Sequence, residues 1–72
     1  MVYEGEILLG KIDDILEVGA GFLFNIQTST ELINKGLAKQ FYIPYQDNFI
    51  IKIDINSKRV DVKNSMDILL NS

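Results

Sequence analysis

The chain contains no cysteine and no histidine. Without cysteine no disulfide can cross-link the fold, and nothing points to an oxidising compartment. Without histidine the commonest general base and the commonest zinc ligand are both missing. Nucleophilic triads that rely on a serine–histidine pair are therefore excluded. Proline occurs once, at Pro44. The apolar run Ile7-Leu8-Leu9 is far too short for a signal-peptide core or a membrane span. The expected setting is soluble and cytoplasmic. At 72 residues there is room for one domain. Chains of this size bury only about 60% of their unfolded surface, and the core alone supplies about 3–5 kcal/mol.

What the chain does have is alternation with a period of two, the mark of half-buried strands. In Phe22–Thr28, Phe22, Phe24, Ile26 and Thr28 fall on one face. Phe41, Ile43 and Tyr45 share a face, and so do Phe49, Ile51, Ile53 and Ile55. Val60 and Val62 point in while Arg59, Asp61 and Lys63 point out. These inward sets are aromatic or β-branched, which suits a pleated surface. The first strand, about Leu8 to Glu17, is less regular, and a β-bulge near Asp13-Asp14 would restore its apolar face.

Turn chemistry separates these runs. Gly19-Ala20-Gly21 can take positive φ between the first two strands. Gln46-Asp47-Asn48 and Asn56-Ser57 supply two more turns. Ser29–Leu37 reads as a loop with one helical turn, capped by Thr30 and ended by Gly36. Near the end, Met66, Leu69 and Leu70 recur at helical spacing behind Ser65, a candidate N-cap. This short helix is expected to close one mouth of a barrel. The whole pattern predicts an all-β fold: a small SH3-like or PRC-type antiparallel β-barrel of five to six strands with a short C-terminal helix.

The chemistry-bearing motifs are few. Asp13, Asp14 and Glu17 form the one carboxylate cluster, but neighbours on a strand point to opposite faces, so solvated charge is favoured over catalysis. Asp54-Ile-Asn56-Ser-Lys58 mimics the start of a calcium loop, yet lacks the glycine turn and the closing glutamate. Gly19-Ala20-Gly21 lacks the helix and lysine of a phosphate loop. No metal and no cofactor is expected, and no enzyme. Tyr42 is the outward aromatic of its strand and suits a protein contact, since tyrosine is enriched at interfaces.

The net charge is −3, and its distribution is uneven. Glu4, Glu6, Asp13, Asp14 and Glu17 face one base, Lys11, in the first seventeen residues. An acidic chain is a poor general binder of phosphates and a better partner for a basic protein. The mildly basic later segment, with Lys52, Lys58, Arg59 and Lys63, leaves direct RNA binding as a secondary alternative.

Four segments in order resemble one family. Glu6-Ile-Leu-Leu-Gly-Lys-Ile-Asp-Asp-Ile-Leu-Glu-Val-Gly-Ala-Gly21 is similar to the opening of the PRC-barrel domain of the RimM family of ribosome maturation factors. Tyr42-Ile-Pro-Tyr45 resembles its following strand, Lys52–Val62 its hairpin, and Met66-Asp-Ile-Leu-Leu70 its tail. The resemblance covers about residues 2–70. It implies that residues 1–72 form one PRC-barrel domain, the C-terminal half of a two-domain protein. It also implies a non-enzymatic role in maturing the small (30S) ribosomal subunit and in 16S rRNA processing. The implied partner is a basic ribosomal protein of the head, the one numbered nineteen. Asp13, Asp14, Glu17 and Tyr42 are the expected contact residues. A structural adaptor unrelated to ribosomes is the other alternative, and an edge strand carrying Tyr42 could pair with a second copy. The chain departs from the family pattern at Gly21-Phe22, where a polar residue is usual, and in the longer Ser29–Leu37 connection.

Overall fold

The computed structural model describes residues 1–19 and 21–72. In chain order the elements are β1 (Val2–Glu4), β2 (Ile7–Val18), β3 (Gly21–Thr28), α1 (Thr30–Asn34), β4 (Gln40–Pro44), β5 (Ile50–Asp54), β6 (Arg59–Val62) and α2 (Ser65–Leu70). The strands form one curled sheet in the order β4-β3-β2-β1-β6-β5. This is the expected all-β barrel architecture with a short C-terminal helix. β1 has no counterpart in the sequence reading, because three residues are too few to display alternation.

One pairing departs from the expected antiparallel pattern. β1 lies parallel to β6, with Val2 beside Val60 and Tyr3 beside Asp61. The other four pairings are antiparallel. Hairpin-linked neighbours must run antiparallel, whereas strands far apart in sequence are free of that constraint. β1 and β6 are far apart in sequence, and their pairing joins the β4-β3-β2-β1 part of the sheet to the β6-β5 hairpin.

The expected bulge in the first long strand is present. The β2–β3 register shifts between Ile12 and Asp14. Ile12 then pairs with Ile26 and Ile15 with Phe24, so both isoleucines join the inner face. A second irregularity falls between Val2 and Tyr3, where β1 meets Leu8 and Gly10. At Gly10 the neighbouring strand passes so close that a Cβ would overlap the Gln27 carbonyl oxygen. Glycine is needed there so that β2 can bend between β1 and β3.

The core comprises Val2, Leu9, Phe24, Ile26, Leu32, Phe41, Ile43, Val60, Val62 and Leu69, all buried. It draws on every strand except β5 and on both helices. The expected inward positions of β5 are a correction. Ile51, Ile53 and Ile55 are exposed, while Ile50, expected outward, is half-buried. A register shift between Ile50 and Lys52 leaves Ile51 unpaired and brings Ile50, opposite Val62, to the inner face. Ile53, opposite Val60, keeps the inner face but lies where the core no longer covers it, and Ile55 falls in the turn after the strand. Phe22 and Tyr45 are also exposed, at 45% and 51%. They continue the inner rows of β3 and β4 beyond the end of the core, although the Tyr45 ring still reaches Phe24, 5.5 Å between centroids.

The connections differ in detail from the sequence reading. Ser29, not Thr30, caps α1: its Oγ accepts from the Leu32 amide at 3.4 Å and donates to the Leu8 carbonyl at 3.0 Å. Leu32 anchors the helix in the core. The β5–β6 turn spans residues 55–58 rather than Asn56-Ser57 alone, because Asp54 pairs with Arg59. Gly19 takes φ 54° and Gly21 opens β3; Ala20 of the expected Gly19-Ala20-Gly21 turn lies outside the described residues.

The N-terminus of α2 is capped from far away. Asn64 occupies the cap position in a left-handed conformation that offers no side-chain cap. Glu4 supplies it instead, its Oε1 accepting from the backbone amides of Ser65 at 2.7 Å and Met66 at 3.1 Å. Ser65, the expected cap, is the first helical residue, and its hydroxyl donates to the Lys63 carbonyl. Leu69 is buried under the barrel end, whereas Leu70 is exposed.

Candidate protein-docking surface

The β2–β3 hairpin positions the acidic residues. β2 runs for 12 residues and β3 for 8, and their paired ends reach past the core. Strand geometry sorts their side chains into two faces. On the outer face, Asp14 stands opposite Asn25, and Asn25 opposite Tyr42. These three residues form one cross-strand row over β2, β3 and β4. With strands about 4.8 Å apart, Asp14 and Tyr42 lie about 10 Å from one another across Asn25. The next row on the same face is Leu16, Leu23 and Pro44. A carboxylate, a tyrosine and a half-buried apolar floor are thus placed side by side.

Asp13, Asp14 and Glu17 are all exposed, and Tyr42 is 41% exposed. Asp13 is the unpaired residue at the bulge. Asp14 Oδ1 accepts from the Ile15 amide at 2.8 Å, which fixes its carboxylate next to the bend. Asn25 Oδ1, in the middle of the row, is shielded from solvent and has no hydrogen-bond partner among the described residues.

The expected site residues are not all brought together. Asp14 and Tyr42 share the outer face. Glu17 belongs to the opposite one, in a row with Phe22. That inner row continues to Tyr45, whose amide donates to the Phe22 carbonyl at 3.0 Å. Exposed Ile15 lies one row closer to the core. Ile15, Phe22 and Tyr45 therefore make an apolar lip beside Glu17, which the sequence reading missed by assigning Phe22 and Tyr45 to the core. The signal was the length of the hairpin: twelve residues of β2 exceed what a five-residue β4 can cover.

The basic residues are arranged differently. The Arg59 guanidinium sits over the Tyr3 ring, 4.1 Å from its centroid, and its Nε donates to Asp61 Oδ1 at 2.8 Å. Nη2 also reaches the Gly5 carbonyl. Arg59 is thus engaged within the fold, and Asp61 and Asp54 interrupt the run of cations. Asp54 sits where the calcium-loop resemblance begins. Its Oδ1 accepts from the amides of Asn56 and Ser57 at 3.0 and 3.2 Å. Hydrogen bonding by Ser57, side chain first and then backbone, holds the Asp54 carboxyl below its ordinary value. Its donors are those of a tight turn. Among the described residues no three histidine, cysteine, aspartate or glutamate side chains converge as a metal site. Among the described residues no helix is long and apolar enough to cross a membrane.

Comparison with known proteins decides the family. The RimM PRC barrel domain family matches residues 1–68. The chain belongs to the RimM PRC-barrel family. The ribosome maturation factor RimM of Campylobacter fetus is 62% identical over 71 residues, covering 99% of this chain and 40% of that protein. RimM of Campylobacter hominis is 46% identical over 71 residues, with the same coverage. RimM of Aliarcobacter butzleri is 44% identical over 72 residues, again 99% of this chain and 40% of the relative. The chain thus spans about 40% of the length of these RimM relatives. No solved structure matches it. Each of these relatives is named a ribosome maturation factor.

Proposed function

We propose that this PRC barrel is a non-enzymatic docking module of the cytoplasm that assists maturation of the small ribosomal subunit by binding a basic ribosomal protein of its head. The observation that carries this reading is the row Asp14–Asn25–Tyr42 on an exposed sheet face. It pairs fixed negative charge with a half-exposed aromatic ring over an apolar floor. Charge of this kind steers encounter and sets partner choice, while aromatic anchors supply most of the energy lost on truncation. Asp13 at the bulge and Glu17 on the other side of the same hairpin extend the negative field. The head protein numbered nineteen, implied by the family resemblance, is the partner to test first.

The rival reading, direct RNA binding through Lys52, Lys58, Arg59 and Lys63, has less support. Arg59 is held by Tyr3 and Asp61, and the acidic residues outnumber the basic ones. Titration calorimetry with the isolated basic protein, repeated across a salt series, tests the proposal. Binding that weakens as salt rises is expected. Absence of binding at low salt, or binding indifferent to salt, overturns it. A gel shift with ribosomal RNA alone separates the RNA reading.

A further inference from the structure

The sheet has two end strands, β4 and β5. They differ in how well they are protected. β4 has α2 packed against it and ends in Pro44, which has no amide to donate. β5 pairs with β6 on one side and carries exposed Ile51 and Ile53, followed by Ile55 at 83% exposure. A bare, apolar edge is a template for pairing with another chain.

Lysine on an edge strand usually discourages such pairing. Here the charge pattern reverses that effect. Below the register shift, β5 alternates regularly: Lys52 lies against Asp61, Ile53 against Val60, and Asp54 against Arg59. The outer face of the β5–β6 hairpin is therefore a checkerboard of Lys52, Asp54, Arg59 and Asp61. The opposite face presents Ile53, beside a cleft of 350 Å³ whose apolar lining is Tyr45, Ile50, Ile51 and Ile53.

We propose that β5 pairs antiparallel with β5 of a second copy of this chain, in the register that sets Ile53 against the second copy's Ile53. In that register Lys52 faces the second copy's Asp54, and Asp54 faces its Lys52. The checkerboard continues without a like-charge neighbour, and the isoleucines meet on the other face. Sliding by two residues in either direction puts Lys52 on Lys52 or Asp54 on Asp54. Sliding by one sets isoleucine against charge on a shared face, because directly opposed residues point the same way. The sequence of the edge is thus self-complementary in a single register. The strand is short, so the contact falls below the roughly 1,000 Å² of a stable interface. The resulting dimer is weak and forms only at high concentration.

The test uses the 72-residue chain in a dilution series followed by sedimentation and by amide chemical shifts. Dimer formation by about 1 mM, the concentration range of weak contacts, is expected, with shifts concentrated in Ile50–Asp54. Lys52→Asp and Asp54→Lys should each weaken self-association about tenfold, from two like-charge oppositions at up to about 1 kcal/mol each. An equimolar mixture of the two variants should restore association as a heterodimer. Ile53→Lys, at an already exposed position, is the second blocking variant should Asp54→Lys fail to fold. A chain that stays monomeric up to about 1 mM overturns the proposal. So does association whose shifts fall on β4 or on the β2–β3 hairpin while β5 is silent, or a folded mixture that fails to associate.

Discussion

Glu4 and Ser65 are joined through one carboxylate oxygen, although they come from opposite ends of the chain. The same oxygen takes the Met66 amide, so two of the unpaired donors of α2 are satisfied by β1. Loss of a cap of this kind costs about 1–2 kcal/mol. Glu4→Ala is expected to lower stability by about that amount in urea denaturation, and Glu4→Gln by less, since an amide oxygen still accepts. Equal stability of Glu4→Ala and the parent would show that α2 holds without it.

Of the glycines, Gly10 is the one least able to accept a side chain. A Cβ there would overlap the backbone of Gln27, and overpacking against main chain costs about 3 kcal/mol or more. Gly10→Ala should lose most of the stability of so small a domain, read as a collapse of the circular-dichroism melting transition. Gly21→Ala is the control. A Cβ there meets no described atom within 4 Å, so its melt should match the parent.

Asp54 links the β5–β6 turn to pH. Its carboxyl lies below its ordinary value because Ser57 and Asn56 donate to the charged form. A group depressed in the folded state contributes stability above its unfolded value, and that contribution disappears as pH falls through the folded one. Carbon-detected titration should place Asp54 below an unstructured aspartate, and Ser57→Ala should move it upward. The amides of Asn56 and Ser57 should lose protection over the same acidic window.

The docking row gives a test that separates binding from folding. Tyr42→Ala should weaken the basic partner about tenfold or more, as interface aromatics do. Its unfolding midpoint should move little, because the ring is 41% exposed. Asp14→Asn should flatten the salt dependence more than it lowers affinity at high salt. Loss of binding from Glu17→Gln with none from Tyr42→Ala would transfer the contact to the inner lip of Ile15, Phe22 and Tyr45.

Much of the fold was legible because half-buried strands write their alternation into the sequence. Phe24, Ile26, Phe41, Ile43, Val60 and Val62 were all placed inward and are all buried. Even the bulge at Asp13-Asp14 could be read, since it alone reconciles Ile12 with Ile15. Two kinds of feature were hidden. β5 looked like the cleanest apolar strand, yet one inserted residue at Ile51 swapped Ile50 onto the inner face, and the core stops short of Ile53; an irregularity of register leaves no compositional trace. Long-range partners were equally silent: no local pattern announces that Glu4 caps α2 or that β1 lies parallel to β6. In the candidate site, Asp14 and Tyr42 were picked out as separate exposed residues. Their common row became visible only through the pairing of both strands with β3.

The parallel seam of β1 and β6 has a consequence for when this domain can exist. Val2–Glu4 stands between the β2-β3-β4 half of the sheet and the β5-β6 hairpin. Within this sheet the earliest strand, β1, must therefore wait for the latest, β6, before its second edge is occupied. During synthesis Val2–Glu4 stays without that neighbour until Val60 and Asp61 have cleared the ribosomal tunnel. Non-local closure of this sort is slow for its size, and it makes the β1–β6 seam the step on which assembly of the sheet waits.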